Sequence, residues 1–384
     1  MEASELTIAG SFDHSSSTVG SVSHASERLS SGLTTVGVIS PEMAYRAAFA
    51  NATQGIRQQL ESFERRIQAE LQSESPAIAE ILRYVSKLGG KRLRPALTFL
   101  CAELFNGSTV EGSTEETERL AVVVELVHTA TLVHDDVLDE ASVRRHQATV
   151  HVRWDVPTSI LIGDWLFTHA YGLANAGTST IPGRWVATAA KEVCEGEILQ
   201  NRSIGNWRLS EAEYIDLLAK KTGALCGVSC ALGAWSAGAD EQACEALRSF
   251  GIKLGCAFQI FDDWLDVWGS AHQAGKTIGT DFAHDKPTLP WMIALASLSE
   301  EERNGWHDRF VCDSEGAKGE LIGLLGPSNA SERTLQKAGL LIESACKDLS
   351  NAWSRVGTEA PSKGQSEAMD ALIEIARASV HRNA

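Results

Sequence analysis

The sequence lacks the features that mark several large classes of protein. Its 384 residues contain no apolar run of about 18 residues, so no transmembrane helix is predicted, although the product could still be membrane-associated. Aromatic residues make up only 7% of the chain, and no regular series of alternating apolar and polar runs indicates β-strands. These absences favour a single helical domain.

Basic residues are also scarce. The chain has 34 Lys and Arg against 50 Asp and Glu, which gives a formal net charge of −16 at pH 7. Proteins that bind nucleic acids cluster Lys and Arg against the phosphate backbone, so a nucleic-acid partner is not expected. An acidic protein can still bind a diphosphate through metal ions.

The cysteines form no C-x-x-C pair. Cys226 and Cys230 stand four residues apart, but no histidine or second cysteine pair completes a zinc site. We interpret all of them as small apolar core residues in a reducing compartment, the cytoplasm. The eight are Cys101, Cys194, Cys226, Cys230, Cys244, Cys256, Cys312 and Cys346.

Residues 1–40 differ in composition from the rest of the chain. They are rich in Ser, Thr and Gly without helical periodicity, which predicts a disordered tail. They carry more acidic than basic residues, unlike a transit peptide. Residues 41–384 are the predicted folded domain.

Helix-start signals recur along residues 41–384. Ser-Pro pairs at 40–41 and 75–76 predict helix starts, the first helix running to about Gln72. Capping boxes are predicted where Ser210 precedes Glu213 and where Ser299 precedes Glu302. With roughly ten or more helices and no credible sheet, the predicted fold class is an all-α, single-domain bundle.

An acidic cluster ends the apolar stretch 125–139. Asp135, Asp136 and Asp139 stand at i, i+1 and i+4, which on a helix gathers three carboxylates into one patch. Like charges at about 4 Å repel by roughly 1 kcal/mol in water and roughly 4 kcal/mol at an effective dielectric constant of 20. A hard divalent cation is the natural partner for such a patch.

The same spacing occurs a second time, at Asp262, Asp263 and Asp266, with Gln259 one turn earlier. Mg²⁺ usually takes one or two carboxylates and completes its shell with water and phosphate oxygens. Two such clusters therefore predict a phosphate-bearing ligand between them. Either cluster alone would be interpreted as a solvated helix face.

Two basic segments accompany the acidic clusters. The stretch 89–95, GGKRLRP, is a basic turn after two glycines, and the stretch 275–290, GKTIGTDFAHDKPTLP, is too polar for core. We interpret the second as a mobile lid over a phosphate site, with Lys276 and Lys286 as phosphate contacts.

Together these motifs, in this order, resemble the trans-isoprenyl diphosphate synthase (polyprenyl synthetase) family, over roughly residues 75–290. The resemblance implies the isoprenoid synthase fold, a helical bundle around a deep central cavity, with residues 41–384 as the catalytic domain. It implies a homodimer and the condensation of isopentenyl diphosphate with an allylic diphosphate. It also implies Mg²⁺ as cofactor, about three ions per active site with substrate bound.

Roles follow at the matching positions. The Mg²⁺ site would be formed by carboxylates of both clusters: Asp135, Asp136, Asp139, Asp262, Asp263 and Asp266. Asp266 would support the other carboxylates and would not bind the metal directly. The allylic diphosphate would contact Arg144, Lys221 and Lys276.

The resemblance also assigns the second substrate and the reacting carbon. Isopentenyl diphosphate would be held by Lys91, Arg94, His128 and Arg145. Thr222 and Gln259 would face the developing allylic cation. Without the resemblance, His128 would be interpreted as a hydrogen-bonded core histidine. His134 is interpreted as structural, because Mg²⁺ prefers oxygen ligands.

The residues before the first cluster bear on product length. Ala130 lies about 7.5 Å along the helix axis from Asp135, where a large side chain would close the pocket. Ala130 and Thr131 are small, which resembles long-chain members of the family. Phe167 and Tyr171 are predicted to form a deeper floor.

Three alternatives compete with a long-chain synthase. A shorter-chain farnesyl or geranylgeranyl diphosphate synthase would share both motifs. A class I terpene cyclase usually replaces the second Asp cluster by a motif with Asn or Asp, Ser or Thr, and Glu, and would leave the basic turn at 89–95 without a diphosphate. A non-catalytic regulatory subunit would be expected to have lost Asp residues of the two clusters or the adjacent pair Arg144 and Arg145, all of which this chain keeps.

Overall fold

Helices account for nearly all regular structure in the described part of the chain. The computed structural model describes residues 41–88, 90–105, 113–145, 147–269, 279–356 and 361–380. They all fall within one contact unit, Ile39–Ala384. The predicted tail at 1–40 lies outside the described residues, so the domain boundary near residue 41 stays a prediction.

The first helices surround the basic turn. They are α1 (Pro41–Ala52), α2 (Arg57–Glu70), α3 (Pro76–Lys87) and α4 (Leu93–Glu103). The prediction of one helix from Pro41 to Gln72 is wrong, because a 3₁₀ turn over Gln54–Ile56 separates α1 from α2. The Thr53 hydroxyl donates to the Phe49 carbonyl at 2.7 Å, and Gly55 follows, so both residues weaken the helix at this point.

The central helix, α5 (Ser113–Leu138), carries the first Asp cluster at its end. Its 26 residues span about 39 Å at 1.5 Å per residue. It packs against α4, α7 (Val156–Ala174) and α10 (Ala224–Ser236), which leaves its middle turns without exposed surface. The first motif thus lies at the end of a helix whose middle turns are fully buried.

A short hairpin follows α5. Strand β1 (Val143–Arg144) pairs antiparallel with β2 (Gln147–Ala148), and α6 (Val150–Arg153) comes next. This pair is the whole sheet of the described residues, so the prediction of an all-α bundle is confirmed. The Asp155 carboxylate caps α7 by accepting from the Thr158 amide.

Helix α8 (Ile181–Ser203) has no counterpart in the sequence analysis. It begins without a side-chain cap, and Gly196 and several charged residues interrupt its apolar pattern. The predicted capping box of Ser210 and Glu213 is confirmed at the start of α9 (Glu211–Leu218). A π-helical segment, Ala219–Gly223, then joins α9 to α10.

The second Asp cluster lies on α11 (Glu241–Trp268), which packs against α10 and α16. A Cβ atom on Gly255 of α11 would lie 2.9 Å from the Cα atom of Gly223, so glycine permits this close crossing. The remaining helices are α12 (Thr280–Ala283), α13 (Leu289–Ala296), α14 (Glu300–Cys312), α15 (Ser314–Leu324), α16 (Ala330–Trp353) and α17 (Lys363–Ala378). The capping box of Ser299 and Glu302 is confirmed at α14.

Two surface properties complete the fold. The interpretation of all cysteines as core residues is wrong for Cys194 and Cys312, which are exposed. Partial burial, and after it the charges of Asp135 and Glu197, raise the pKa of Cys194, so this thiol lies near the first Asp cluster and not in the packed core. Among the helices described, none has the length and apolar character needed to span a membrane.

Candidate active site

The first Asp cluster stands where α5 ends. Asp135 and Asp136 belong to its last turn, and the Asp139 amide continues the helical hydrogen bonding to the Asp135 carbonyl at 2.8 Å. Glu140 then takes a positive φ of 50°, which turns the chain out of the helix towards β1. The cluster is therefore held at a rigid helix end with Asp136 buried and Asp139 exposed.

Arg144 pairs with the buried carboxylate of Asp136. Its Nε lies 2.7 Å from Asp136 Oδ1, while Asp136 Oδ2 is buried and accepts no hydrogen bond from the described residues. Burial raises the pKa of Asp136, and the Arg144 guanidinium opposes that rise. The second oxygen of this buried carboxylate can therefore coordinate a cation or accept a further hydrogen bond.

Asp135 is surrounded by further acids. Burial, and after it the Glu197 carboxylate, raises the pKa of Asp135 to about 7, and Asp139 adds to the rise. The Lys221 ammonium opposes it. Negative charge is thus in excess around Asp135, and an added cation would relieve it.

Lys221 is held by two residues of α8. Its Nζ lies 2.5 Å from Glu197 Oε2 and donates to Gln200 Oε1. A Cβ atom on Gly196 would lie 2.5 Å from the Lys221 amide nitrogen, so glycine lets α8 approach the π-helical segment. Sequence analysis missed Glu197 and Gln200, whose signal is their i, i+3 spacing on a helix that was not assigned.

The second Asp cluster is joined to that segment by hydrogen bonds. Gln259 Nε2 donates to Asp263 Oδ1 at 3.0 Å, and Gln259 Oε1 accepts from the Thr222 hydroxyl at 3.3 Å. The Tyr214 hydroxyl donates to the other oxygen of Asp263. Burial and the Asp263 carboxylate raise the pKa of Tyr214 well above its usual value, so Tyr214 stays a donor. Tyr214 is a further residue that sequence analysis missed.

Asp266 is anchored behind the cluster, whereas Asp262 is partly exposed at the front. The buried Asp266 carboxylate accepts from the Thr280 amide at 3.2 Å, from the Thr280 hydroxyl at 3.1 Å and from the Asp281 amide at 3.2 Å. Those three bonds fix the start of α12 against α11. Because its carboxylate already accepts these three hydrogen bonds, Asp266 is suited to hold the cluster in place and not to bind a metal ion directly.

The segment interpreted as a lid is only partly described. Residues 279–290 form α12 and the start of α13, and Phe282 and Leu289 are buried, so the expectation that this part is too polar for core is wrong. Burial of these two apolar side chains holds the segment against the core, although most of the residues around them are polar. Lys276 lies outside the described residues, and its role stays a prediction.

Lys286 connects the two acidic clusters. Its Nζ lies 3.6 Å from Asp139 Oδ1 and 3.9 Å from Asp281 Oδ1, and the Asp281 amide bonds to Asp266. The π-helical segment makes a second connection, because Lys221 acts on Asp135 while Thr222 bonds to Gln259. Both Asp clusters therefore lie at the same end of the bundle. π-Helical turns are frequent at functional sites.

A basic pocket adjoins the first cluster. It is lined by Arg92, His128, Asp136, Arg144 and Arg145 together with apolar residues of α2, α3 and α5. Burial, and after it the guanidinium groups of Arg94 and Arg145, lower the pKa of His128 well below its usual value. The imidazole is therefore neutral at neutral pH.

Arg145 and Arg94 approach this pocket from different elements. Arg145 Nη1 donates to the Leu88 carbonyl, and a Cβ atom on Gly90 would lie 2.8 Å from Arg145 Nη2, so Gly90 makes room for the guanidinium. Arg94 Nε is buried and donates to no described residue. Lys91 Nζ lies 5.0 Å from the Tyr45 ring centroid.

Arg92, which sequence analysis passed over, holds the basic turn in place. It adopts a left-handed φ of 56° and bonds to Glu64 Oε1 at 2.6 Å and to the buried Glu125 Oε1 at 2.7 Å. The signal for it was Glu125, a single acid within the apolar run of α5.

The carboxylates fit a divalent cation that is shared with a ligand. In the residues described, no three His, Cys, Asp or Glu side chains converge closely enough to hold a metal ion by themselves. Mg²⁺ needs only one or two carboxylates when phosphate oxygens complete its shell. The unused oxygen of Asp136 and the excess negative charge at Asp135 suit that arrangement.

The residues assigned to chain length lie on α5 and α7. Ala130 has no exposed surface, and the Thr131 hydroxyl donates to the His128 carbonyl at 2.8 Å. The Phe167 ring centroid lies 5.9 Å from that of His134, and Tyr171 is half-buried. Their role stays a prediction. His134 Nε2 lies 3.0 Å from the Ile160 carbonyl, as suits a structural histidine.

Comparison with known proteins gives concordant results. Residues 75–319 match the polyprenyl synthetase family. The octaprenyl diphosphate synthase of Haemophilus influenzae is 33% identical over 324 residues, 83% of this chain and 92% of that protein. A short chain isoprenyl diphosphate synthase of Methanothermobacter thermautotrophicus is 36% identical over 219 residues, 56% of this chain and 66% of that protein.

A solved structure agrees with these sequence matches. The polyprenyl synthase of Caulobacter crescentus, crystallised with calcium and isoprenyl diphosphate, superposes with a TM-score of 0.74 at 32% identity. The similarity covers 88% of this chain and 98% of that one.

Proposed function

The chain belongs to the polyprenyl synthetase family of trans-prenyltransferases, and from this premise we propose that it makes a long-chain all-trans polyprenyl diphosphate. The reaction condenses isopentenyl diphosphate with an allylic diphosphate and depends on Mg²⁺. The proposal includes a homodimer that acts in the cytoplasm.

The observation that carries the proposal is the connection between the two Asp clusters. Lys286 lies within 4 Å of Asp139 and Asp281, and Asp281 bonds to Asp266 of the second cluster. Two anionic helix ends at one end of the bundle are tolerable when cations and a diphosphate bridge them. Arg144, Lys221 and Lys286 compensate part of this converging charge, and bound cations would compensate the rest.

The allylic diphosphate would lie between the clusters. Arg144, Lys221 and Lys286 would contact its oxygens, since each already pairs with a carboxylate at this end of the bundle. The Mg²⁺ ions, about three with substrate bound, would be held by Asp135, Asp136, Asp139, Asp262 and Asp263. When bound, they supply positive charge for the oxygens on which negative charge builds as the allylic C–O bond breaks.

Isopentenyl diphosphate would occupy the basic pocket. It is condensed with its diphosphate intact, so its site needs fixed basic groups and no metal cage. Arg94 supports this, because its buried Nε has no bond to the described residues, and so does neutral His128, which can donate one hydrogen bond. Lys91 and Arg145 would complete the site.

The reacting carbon would lie beside the π-helical segment. Thr222 and Gln259 are hydrogen-bonded to each other and present oxygen dipoles that can stabilise positive charge. Among the residues that the structure describes, no carboxylate or histidine stands out as the base that removes the proton from the condensed product. The departing diphosphate would accept that proton.

Product length is proposed from the small residues before the first cluster. Ala130, about 7.5 Å from Asp135 along α5, and Thr131 have small side chains that would let a growing chain pass, which favours a product of about 30 carbons or more. Phe167 and Tyr171 on α7 would limit it. Related proteins carry names of both long-chain and short-chain synthases.

Product sizing tests the proposal. The purified protein is incubated with Mg²⁺, isopentenyl diphosphate and geranyl, farnesyl or geranylgeranyl diphosphate, and the products are separated by length. We expect Mg²⁺-dependent elongation past the geranylgeranyl length. Products that stop at farnesyl or geranylgeranyl length would show a short-chain synthase. An absence of elongation with every primer would favour a non-catalytic subunit.

A further inference from the structure

A second cavity lies outside the region assigned to the two diphosphates. It has a volume of about 500 Å³ and is formed by residues 207–211, by α13, by α14 and by Arg333 of α16. Sites for small ligands typically have volumes of about 300–1,000 Å³. None of its lining residues has a role in the proposed reaction.

The inner wall of this cavity is apolar. Leu289, Ile293 and Leu295 of α13 and Trp207 line it, and each of these four side chains is buried. Met292 and Leu209 add partly exposed apolar surface. A ligand that fills the cavity therefore needs a hydrocarbon portion.

The rim of the cavity is basic. Arg208, Arg303 and Arg333 line it, and none of the three forms an ion pair with an acid in the described chain. Arg208 Nη1 donates to the neutral Asn304 Oδ1 at 3.0 Å, which leaves its charge uncompensated. Of the two acids at the rim, Glu211 is paired with Lys337 at 2.6 Å, and Glu300 lies in the first turn of α14. Positive charge is thus in excess, which an anion would relieve.

Two buried polar groups also line the cavity. Trp207 is 6% exposed, and its indole N–H is buried without an acceptor among the described residues. His307 is 9% exposed; burial first, and then the charges of Arg208 and Arg303, lower its pKa. The neutral His307 imidazole can donate one hydrogen bond to a bound oxyanion.

We propose that this cavity is a binding site for a phosphate ester of a hydrocarbon chain. The chain lies against Leu289, Ile293 and Leu295, and the phosphate contacts Arg208 and Arg303. The combination of an apolar floor, arginines without acidic partners and the His307 imidazole fits an amphiphilic anion, whereas inorganic phosphate alone would leave the floor unfilled. This inference does not rest on the proposed reaction.

The cavity is one aromatic layer from the second Asp cluster. The Trp207 ring centroid lies 5.9 Å from that of Phe282, and Phe282 follows Asp281, whose amide bonds to Asp266. A bound phosphate ester would thus lie close to the residues that support the cluster without touching them.

Calorimetric titration with decyl phosphate tests the site, in buffer with a chelator so that no divalent cation contributes. We expect saturable binding to the full-length protein that Arg208→Ala and Arg303→Ala each weaken about tenfold, the effect of one charge-assisted contact. Arg309→Ala is the matched control. Arg309 lies on α14, as Arg303 does, but it pairs with Glu320 at 2.8 Å outside the cavity. Decanol and inorganic phosphate should each bind at least about tenfold more weakly than the ester.

A further variant separates this cavity from the basic pocket at His128. In Arg94→Ala, decyl phosphate should bind as it does to the unchanged protein. Farnesyl diphosphate, titrated into Arg94→Ala without metal, then shows whether the cavity takes prenyl diphosphates or only monophosphate esters. The proposal is overturned if no binding is detected, if Arg208→Ala and Arg303→Ala bind as tightly as Arg309→Ala, or if only Arg94→Ala loses binding.

Discussion

The Lys286 ammonium lies 3.6 Å from Oδ1 of Asp139, although the two residues are separated by almost half of the folded chain. Lys286 follows the second Asp cluster in sequence, and Asp139 closes the first. A single cation thus stands between two anionic segments. A diphosphate placed between them would find this cation already in position.

Removal of Lys286 is expected to impair binding of the allylic substrate. In Lys286→Ala the KM for the allylic diphosphate should rise roughly 10- to 100-fold, since a hydrogen bond to a charged group contributes about 1.5–3 kcal/mol. The KM for isopentenyl diphosphate should change much less. Steady-state kinetics with each substrate varied in turn gives both values.

Lys191→Ala is the control for that variant, because Lys191 pairs with Glu195 on the exposed face of α8. Both KM values should stay at the level of the unchanged protein. Equal kinetics in Lys286→Ala and Lys191→Ala would remove Lys286 from the site.

Arg92→Gln is expected to act on stability and on one substrate. The substitution leaves the Glu125 carboxylate, 3% exposed, without its partner, and loss of one member of a buried pair costs about 3–5 kcal/mol of unfolding free energy. The KM for isopentenyl diphosphate should rise, because Lys91 and Arg94 flank Arg92 in the same turn. Chemical denaturation and kinetics measure the two effects.

The double variant Arg92→Gln with Glu125→Gln separates those effects. Neutralising the buried carboxylate should recover much of the lost stability, while the KM for isopentenyl diphosphate stays raised. Recovery of both quantities together would mean that Arg92 has no positioning role.

His128 is expected to make stability depend on pH. Its folded-state pKa is well below the ordinary value of 6.5, so below about pH 6.5 the unfolded chain takes up a proton that the folded protein does not. The contribution of His128 to the free energy of unfolding should therefore fall as the pH drops from 7 towards 5, whereas Asp135, whose pKa is raised to about 7, contributes in the opposite direction. The two proteins isolate the His128 contribution, because Asp135 is present in both. In denaturant titrations the unchanged protein should lose more stability, or gain less, than His128→Asn over this range, and identical slopes for the two proteins would contradict the assignment.

Ala130→Phe is expected to shorten the product. The ring would fill the space beside α5 and would cost roughly 1–3 kcal/mol of stability, since Ala130 has no exposed surface. Thr131→Ser, which keeps the hydroxyl that bonds to the His128 carbonyl, is the control. Chromatographic sizing should give shorter chains for Ala130→Phe alone, and an unchanged length would refute the chain-length argument.

Local sequence patterns predicted the helical class and several element ends. The capping boxes at Ser210 and Ser299 fix their own helix starts, since the bonds that define them lie within four residues. The break near Thr53 and the helix α8 were missed, because a threonine side-chain bond and an interrupted apolar pattern give weak local signals.

The supporting partners could not be predicted in the same way. Tyr214 is 49 residues from Asp263 in sequence, and Glu64 is 28 residues from Arg92. Only the packing of α9 against α11, and the approach of the basic turn to α2, brings these pairs together. The spacing of the Asp residues identifies both acidic motifs in the sequence. No local sequence pattern identifies the residues that position them.

The most direct test of the account is a binding cycle across the two Asp clusters. Mg²⁺-dependent binding of a thio analogue of farnesyl diphosphate, which resists ionisation, is measured by calorimetry for the unchanged protein, Asp135→Asn, Asp262→Asn and the double variant. If both clusters hold one diphosphate, each single change weakens binding about tenfold or more, and the double change costs clearly less than the sum. A shared site would be contradicted if the losses of binding free energy in the two single variants sum to the loss in the double variant within about 0.5 kcal/mol. It would also be contradicted if the change in one cluster has no effect on binding.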